Sequence, residues 1–165
     1  MEYIAHVPSP LGGITLASDG QALTGLWFDG QKYFAAGLDP VHQEKDLPIF
    51  QQTRCWLEQY FSRQCPSWRP ALAPKGTPFQ QAVWQILLDI PYGSKMTYGE
   101  IARRLAREQG FSPRAAQAVG GAVGHNPISL LIPCHRVVGA DGRLTGYAGG
   151  LEKKQALLAL EKENP

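Results

Sequence analysis

The segment from residue 65 to residue 78 constrains the fold most, because prolines interrupt it at short intervals. Proline removes a backbone N–H donor and fixes φ, so a segment this rich in proline forms neither a regular helix nor an inner strand. The residues responsible are Pro66, Pro70, Pro74, Gly76 and Pro78. We therefore predict two domains that meet there, the first comprising residues 1–74 and the second residues 75–165.

The first domain has the pattern of a small sheet followed by one helix. Residues 31–46 are polar and contain a proline, which predicts a loop, and residues 47–64 have apolar side chains at helical spacing. Short apolar or β-branched runs bounded by turn-forming residues predict strands at residues 3–7, 14–17 and 23–28. We predict an α/β domain with a small antiparallel sheet plus a helix.

The second domain carries signals for helix starts. Thr77-Pro78 combines a hydroxyl cap with proline at the first helical position and predicts a helix that extends to residue 90. Thr97 and Glu100 form a capping-box pattern before the next helix. Ser112-Pro113 predicts the start of a third helix, which runs to residue 123. The helix that follows Thr97 and the helix that starts at Ser112-Pro113 together resemble a helix-turn-helix.

The remainder of the second domain alternates short elements. We predict a short buried strand at residues 130–132, a glycine-rich loop at residues 144–150 and a final helix at residues 151–162. The domain is therefore mostly α-helical.

The helix predicted from Ser112-Pro113 to residue 123 consists largely of alanine and glycine. Glycine within a helix costs roughly 1 kcal/mol relative to alanine, so its repeated use needs a reason. Two reasons remain open: tight packing against a neighbouring element, or close approach of a broad external partner such as a nucleic-acid backbone. The small residues are Ala115, Ala116, Ala118, Gly120, Gly121 and Ala122.

Charge and cysteine usage limit the function classes. The chain carries a net charge of +2, but residues 1–74 hold five Lys or Arg against seven Asp or Glu, so the basic excess lies in residues 75–165. Such an asymmetry fits a polyanionic partner, although ordinary surface charge also explains it. No apolar run reaches the ~18 residues of a membrane span, and the first residues lack a signal-peptide pattern. We expect a cytoplasmic protein with free thiols and no membrane association.

Cys134 is the best candidate nucleophile. It follows a proline at the end of an apolar run and precedes the basic pair His135-Arg136, and nearby positive charge lowers the pKa of a thiol. The alternative is an inert buried cysteine, which we also expect of Cys55 and Cys65. A cysteine hydrolase would use a histidine as base, but residues adjacent in sequence point in different directions.

The segment Pro133-Cys134-His135-Arg136-Val137 resembles the active-site signature of the O6-alkylguanine-DNA alkyltransferases (methylated-DNA–protein-cysteine methyltransferases). The resemblance covers residues 75–162 closely and extends loosely over the N-terminal part. Further motifs occur in family order and spacing: Phe79-Gln-Gln-Ala-Val-Trp84, Ile90-Pro-Tyr-Gly93, Thr97-Tyr98, Ala118-Val-Gly-Gly121, Asn126-Pro127, Gly146-Tyr147 and Leu157-Leu158 with Glu161.

The resemblance implies a ribonuclease-H-like first domain and a winged-helix-like DNA-binding second domain. It also implies direct-reversal DNA repair, in which a guanine is flipped out of the duplex and its O6-alkyl group moves irreversibly to Cys134. The enzyme would be a single-turnover methyltransferase, a monomer that acts on double-stranded DNA without a cofactor. The alternatives are a cysteine hydrolase and a lesion-binding or regulatory DNA-binding protein without chemistry, although Cys134 argues against lesion binding alone.

The resemblance also assigns roles to individual residues. Cys134 accepts the alkyl group, His135 takes its proton through a water, Glu161 holds that histidine, and Asn126 bridges the helix-turn-helix to the active-site segment. Tyr98 helps rotate the nucleotide. The predicted base pocket comprises Val137, Tyr147, Ala148 and Gly149, and the predicted minor-groove contacts comprise Arg114, Gln117, Ala118, Gly121, Ala122 and Arg136.

Two positions depart from the family pattern. Many members have arginine where this chain has Gln117, and a second common basic position falls at Gly124. We therefore expect weaker filling of the gap that a flipped base leaves. We expect no structural metal, because His6, His42, Cys55 and Cys65 lack ligand spacing.

Overall fold

The computed structural model describes residues 1–112 and 116–162, which form two compact units. The first unit contains residues 1–75 together with residues 127–131, and the second contains the described residues from 76 to 126 and from 132 onward. The predicted division into residues 1–74 and 75–165 omits this return of residues 127–131 to the first unit. None of the helices in the described part of the chain is long and apolar enough to span a bilayer.

Three antiparallel strands form the centre of the first unit, as the turn-bounded apolar runs predicted. They are β1 (Glu2–Val7), β2 (Ile14–Ser18) and β3 (Leu23–Phe28), with β1 paired to β2 and β2 paired to β3. Every residue of β2 and β3 is buried, which explains why these two runs are so apolar. The helix α1 (Pro48–Phe61) follows, and its buried face contains the predicted aromatic side chains of Phe50, Trp56 and Tyr60.

A fourth strand corrects the prediction of a loop over residues 31–46. Strand β4 (His42–Glu44) pairs in parallel with β1 at the edge of the sheet, so the sheet is mixed, with the order β3-β2-β1-β4. All three residues of β4 are exposed and polar. An exposed edge strand shows no apolar alternation, and the sequence therefore gave no signal for it.

The second unit consists of helices around a short two-stranded sheet. The helices are α2 (Pro78–Leu88), α3 (Tyr98–Gln109), α4 (Ala116–Gly124) and α5 (Leu151–Lys162), and the strands β5 (Met96–Thr97) and β6 (Val137–Val138) pair in parallel. The predicted caps of α2 and α3 are confirmed: the Thr77 hydroxyl accepts a bond from the Gln80 N–H, and the Thr97 hydroxyl accepts one from the Glu100 N–H. The predicted cap at Ser112-Pro113 and the first residues of its helix involve residues outside the described ones.

The predicted strand at residues 130–132 is wrong. These residues form turns, and Leu130 has φ of 70°, a left-handed conformation that a strand does not contain. Their hydrogen bonds are local: Leu131 donates to the Ser129 carbonyl and Cys134 donates to the Ile132 carbonyl, each at 2.8 Å. The run is apolar because it is buried, and burial alone does not distinguish a strand from a buried turn.

Candidate active site

Cys134 is the first residue of a short 3-10 helix, Cys134–Arg136, which follows the turns at residues 130–132. Cys134 is only 5% exposed. Asn126, which follows α4, fixes the approach to this helix. Its side-chain amide donates to the Ile132 carbonyl at 2.7 Å and hydrogen-bonds the Cys134 thiol. The structure therefore brings Asn126 and Cys134 together.

The electrostatic environment of Cys134 differs from the prediction. Burial raises the pKa of the Cys134 thiol, while the hydrogen bond with Asn126 and the positive charge of Lys154 oppose that rise. The basic pair that follows Cys134 in sequence does not supply the lowering effect. A thiol with a raised pKa is held protonated at rest and needs a base to become a nucleophile.

His135 and Glu161 form a buried pair that can supply that base. The Nε2 atom of His135 lies 2.6 Å from Oε2 of Glu161, with His135 fully buried and Glu161 only 2% exposed. Burial lowers the pKa of His135, against the opposing effect of Glu161, so the imidazole is neutral at rest. A carboxylate only accepts hydrogen bonds, and therefore Nε2 carries the proton and Nδ1 is the basic nitrogen.

Arg136 holds Glu161 in its ionised form. Its Nε donates to Oε1 of Glu161 at 2.8 Å, its Nη2 donates to Oε2 at 3.1 Å, and its Nη1 donates to the Ile90 carbonyl at 2.7 Å. Burial alone would raise the pKa of Glu161, but the bond from His135 and the Arg136 guanidinium outweigh it and lower that pKa to about 2. The side chain of Arg136 is 10% exposed and faces inward. This position corrects the sequence-based assignment of Arg136 to DNA contact.

Lys154 is a site residue that the sequence analysis missed. It is fully buried, and its Nζ donates to the carbonyls of Val137 at 2.6 Å, Thr145 at 3.1 Å and Gly146 at 3.4 Å. Burial lowers the pKa of this ammonium, and attraction to Cys134 opposes that effect. A signal existed, because residues 154, 157 and 161 follow i, i+3, i+7 spacing and are the buried residues of α5.

Tyr98 and the loop before α5 are connected by a hydrogen bond. The Thr145 hydroxyl donates to the Tyr98 hydroxyl at 3.0 Å, and Tyr98 is the first residue of α3. Strand β5 lies immediately before Tyr98 and pairs with β6, so that Met96 of β5 lies opposite Val137 of β6. Tyr98 and Val137 are thus held on one framework with the 3-10 helix that begins at Cys134.

The glycine-rich loop needs its glycine at position 149. A Cβ atom at Gly149 would lie 2.8 Å from Cε2 of Tyr147, so the bare backbone is what lets the Tyr147 ring cover it. The Gly150 N–H donates to the Tyr147 carbonyl at 2.9 Å and closes the turn. Tyr147, Ala148 and Gly149 are all partly exposed. The base pocket that the resemblance implies for these residues stays a prediction.

The glycines of helix α4 are not needed for close packing within the described structure. Among the described residues, nothing lies within 4 Å of a Cβ atom added at Gly120, Gly121 or Gly124, so internal packing does not require these glycines. The second explanation, close approach of an external partner, stays a prediction. Gln117, Ala118 and Gly121 are exposed.

Two further DNA contacts predicted from the sequence are Ala122, on α4, and Arg114. Ala122 is 3% exposed, and its carbonyl accepts a bond from the Trp84 indole N–H at 2.9 Å, so its predicted contact with DNA does not fit. Arg114 lies outside the described residues.

Cys55 and Cys65 are exposed, and no cluster of three or more His, Cys, Asp or Glu side chains in the described ranges is arranged to hold a metal.

Comparison with known proteins agrees with this site. Residues 78–163 match the sequence model of the 6-O-methylguanine DNA methyltransferase DNA-binding domain, and residues 3–67 match that of the ribonuclease-like domain of the same enzyme. The methylated-DNA–protein-cysteine methyltransferase of Haemophilus influenzae is 48% identical over 162 residues, which cover 97% of this chain and 86% of that protein. The Mycobacterium tuberculosis protein of the same name is 45% identical, with coverage of 98% and 93%.

Solved structures show the same architecture. The crystal structure of Mycobacterium tuberculosis OGT in complex with DNA has a TM-score of 0.85 and 42% identity, and the alignment covers 98% of this chain and 94% of that chain. Fold and site together define a two-part protein whose second part is mostly helical and holds a buried cysteine next in sequence to a hydrogen-bonded His–Glu pair. The chain belongs to the 6-O-methylguanine DNA methyltransferase family.

Proposed function

We propose that this protein repairs O6-alkylguanine in double-stranded DNA by moving the alkyl group to the sulfur of Cys134. The observation that carries the proposal is the arrangement around this thiol: Asn126 hydrogen-bonds it, the charge of Lys154 opposes the rise that burial causes in its pKa, and the neighbouring residue His135 is bonded to Glu161. Relatives that bear the name methylated-DNA–protein-cysteine methyltransferase, and the structure of OGT in complex with DNA, support the same function.

The first step activates the thiol. His135 takes the Cys134 proton at Nδ1 through a bridging water, and the imidazolium that forms is stabilised by the Glu161 carboxylate at Nε2. Lys154 stabilises the thiolate by its positive charge. Because burial holds the thiol protonated at rest, the cysteine is protected from other electrophiles until a substrate is bound.

The second step transfers the alkyl group. The thiolate attacks the saturated carbon, a carbon–sulfur bond forms, and the bond between that carbon and O6 breaks. The electron pair stays with the guanine, which takes up the proton that the thiol lost. The product is a thioether, which the imidazole of His135 cannot cleave, so each protein molecule reacts once.

Access to O6 requires that the base leaves the stack. We propose that α4 enters the minor groove, where the exposed Gln117, Ala118 and Gly121 permit close approach, and that Tyr98 helps to turn the nucleotide outward. Val137, Tyr147, Ala148 and Gly149 then hold the flipped guanine. We also propose a cytoplasmic location, because the reducing cytoplasm keeps Cys134 as a thiol.

The test uses intact mass and DNA analysis in one reaction. The protein is mixed with a duplex that contains one O6-methylguanine, and both components are measured after completion. We expect a stable gain of one methyl group per protein and unmodified guanine in the DNA. A protein that binds without chemistry would leave both masses unchanged, and repeated turnover without a stable mass gain would indicate a hydrolase.

A further inference from the structure

Helix α4, which we propose enters the minor groove, carries no positive charge between Ala116 and Gly124, and Arg114 lies outside the described residues. Helix α4 has the sequence Ala-Gln-Ala-Val-Gly-Gly-Ala-Val-Gly and contains no Lys or Arg. Affinity for duplex DNA depends largely on cations that neutralise phosphates. Among the described residues, a cation that binds a phosphate beside α4 lies on another element of the second unit, and α3, which begins at Tyr98, carries three arginines.

Arg103 on α3 has the required position. The residue is exposed, and its guanidinium folds back toward the start of the helix, where Nη1 lies 3.4 Å from a Cβ atom built on Gly99. Gly99 directly follows Tyr98, the residue proposed to turn the nucleotide. Within residues 1–112 and 116–162, no carboxylate lies within 4.0 Å of the Arg103 guanidinium, and the nearby Glu100 carboxylate accepts a bond from the Thr97 hydroxyl instead.

The other arginines of α3 are engaged differently. Arg104 donates to Asp89 at 2.5 Å and to Glu108 at 3.1 Å, so its charge is already compensated. Arg107 lies 3.9 Å from Glu108 in the last turn of the helix, where a cation also gains from the helix dipole. Arg103 has neither compensation, because its guanidinium reaches toward the N-terminal end. Within the described residues, Arg103 is therefore the arginine of α3 whose charge no carboxylate compensates.

We infer that Arg103 binds a phosphate of the DNA strand beside the nucleotide that Tyr98 contacts. A guanidinium offers paired N–H donors that match two phosphate oxygens, and its charge persists at every working pH. Arg103 thereby supplies from α3 the attraction that α4 lacks at Gln117 and Gly124. This inference rests on the proposed function, since it requires duplex DNA as the partner.

The test compares Arg103→Gln with Arg107→Gln, a matched change on the same exposed helix. Affinity for an unmodified duplex is measured over a series of salt concentrations. We expect Arg103→Gln to weaken binding by about tenfold at low salt and to reduce the slope of log affinity against log salt by about one. Arg107→Gln keeps the wild-type slope. An unchanged slope and affinity in Arg103→Gln overturns the inference.

Two further measurements separate this role from a structural one. Arg103→Lys keeps the charge and is expected to retain the wild-type salt slope, and a slope lowered as far as in Arg103→Gln counts against a phosphate contact. Methyl transfer from the free base O6-methylguanine involves no phosphate, so a loss in Arg103→Gln as large on the free base as on the duplex also overturns the inference. Failure of the wild-type protein to gain a methyl group would instead overturn the proposed function.

Discussion

The Nε2 atom of His135 lies 2.6 Å from the Oε2 atom of Glu161, and Arg136 donates two hydrogen bonds to the same carboxylate. The carboxylate is thus shared between one permanent cation and one imidazole that gains charge only during the reaction. This arrangement fixes Nδ1 as the basic nitrogen of His135, and it makes the charge of Glu161 the most informative property to change.

Replacement Glu161→Gln is expected to slow methyl transfer by about 100-fold. An amide can donate a hydrogen bond to Nε2, which would place the imidazole proton on Nδ1 and remove the base, and it does not stabilise an imidazolium. The measurement is the single-turnover rate on methylated duplex DNA. Glu152→Gln, an exposed position on the same helix, is the control and should react at the wild-type rate. A wild-type rate in Glu161→Gln would show that His135 is not held by this bond.

Stability should fall as the solution becomes acidic. The pKa of Glu161 is lowered from 4.5 to about 2 and that of His135 is lowered from 6.5, so the unfolded chain binds more protons at both positions than the folded protein. The free energy of unfolding therefore decreases as pH falls below 6.5, and decreases further from pH 4.5 toward pH 2. Urea unfolding over this range tests the expectation, and Glu161→Gln should flatten the part below pH 4.5. An equally steep decrease in that variant would assign the effect to other carboxylates.

Replacement Lys154→Met should raise the pKa of the Cys134 thiol, because it removes the positive charge that opposes the effect of burial. We expect the pH midpoint for alkylation of Cys134 by iodoacetamide to shift upward, so that alkylation of this thiol at neutral pH becomes slower. Lost hydrogen bonds to the Val137 and Thr145 carbonyls lower stability but do not themselves move this midpoint. Lys162→Met, at an exposed position of α5, is the control. An unmoved midpoint in Lys154→Met would remove Lys154 from the activation of the thiol.

Replacement Gly121→Ala should separate stability from DNA binding. Open space surrounds the added methyl group in the described structure, and alanine favours a helix over glycine by roughly 0.5–1 kcal/mol, so thermal stability should rise. The same methyl group would meet the DNA backbone, so affinity for duplex DNA should fall. Gln155→Ala on α5 serves as a control that should leave affinity unchanged. Binding as tight as that of the wild type would show that α4 does not approach DNA at Gly121.

The elements that the sequence predicted are those whose signal is local. Thr77-Pro78 and Thr97 start helices because their hydroxyl groups cap the first turn, and both caps form as expected. Strand β4 was missed because its three exposed residues show no apolar pattern. The turn before Cys134 was predicted as a strand because a buried turn and a buried strand both require a run of apolar residues.

The candidate site was predictable where the resemblance supplied it and not where side-chain direction decided. The side chain of Asn126 bonds the Ile132 carbonyl and His135 bonds Glu161, while the roles that the family signature implies for these residues stay predictions. Arg136 faces inward and Ala122 is buried, so neither side chain has the exposure that a DNA contact needs. The sequence did not reveal this, because it does not say which face of a helix or turn packs against the rest of the protein. Lys154 escaped notice because a lysine on a terminal helix is usually exposed. In the folded protein three backbone carbonyls accept hydrogen bonds from its buried ammonium group.

Transfer of labelled methyl to protein tests most directly whether Cys134 is the acceptor. Methylated duplex DNA carrying a labelled O6-methyl group is incubated with the wild type and with Cys134→Ser, Cys55→Ser and Cys65→Ser. We expect one labelled methyl per protein in the wild type and in the two variants of exposed cysteines, and none in Cys134→Ser, which should still bind DNA with nearly wild-type affinity. Label on Cys134→Ser at the wild-type rate would contradict the assignment of Cys134 as the alkyl acceptor.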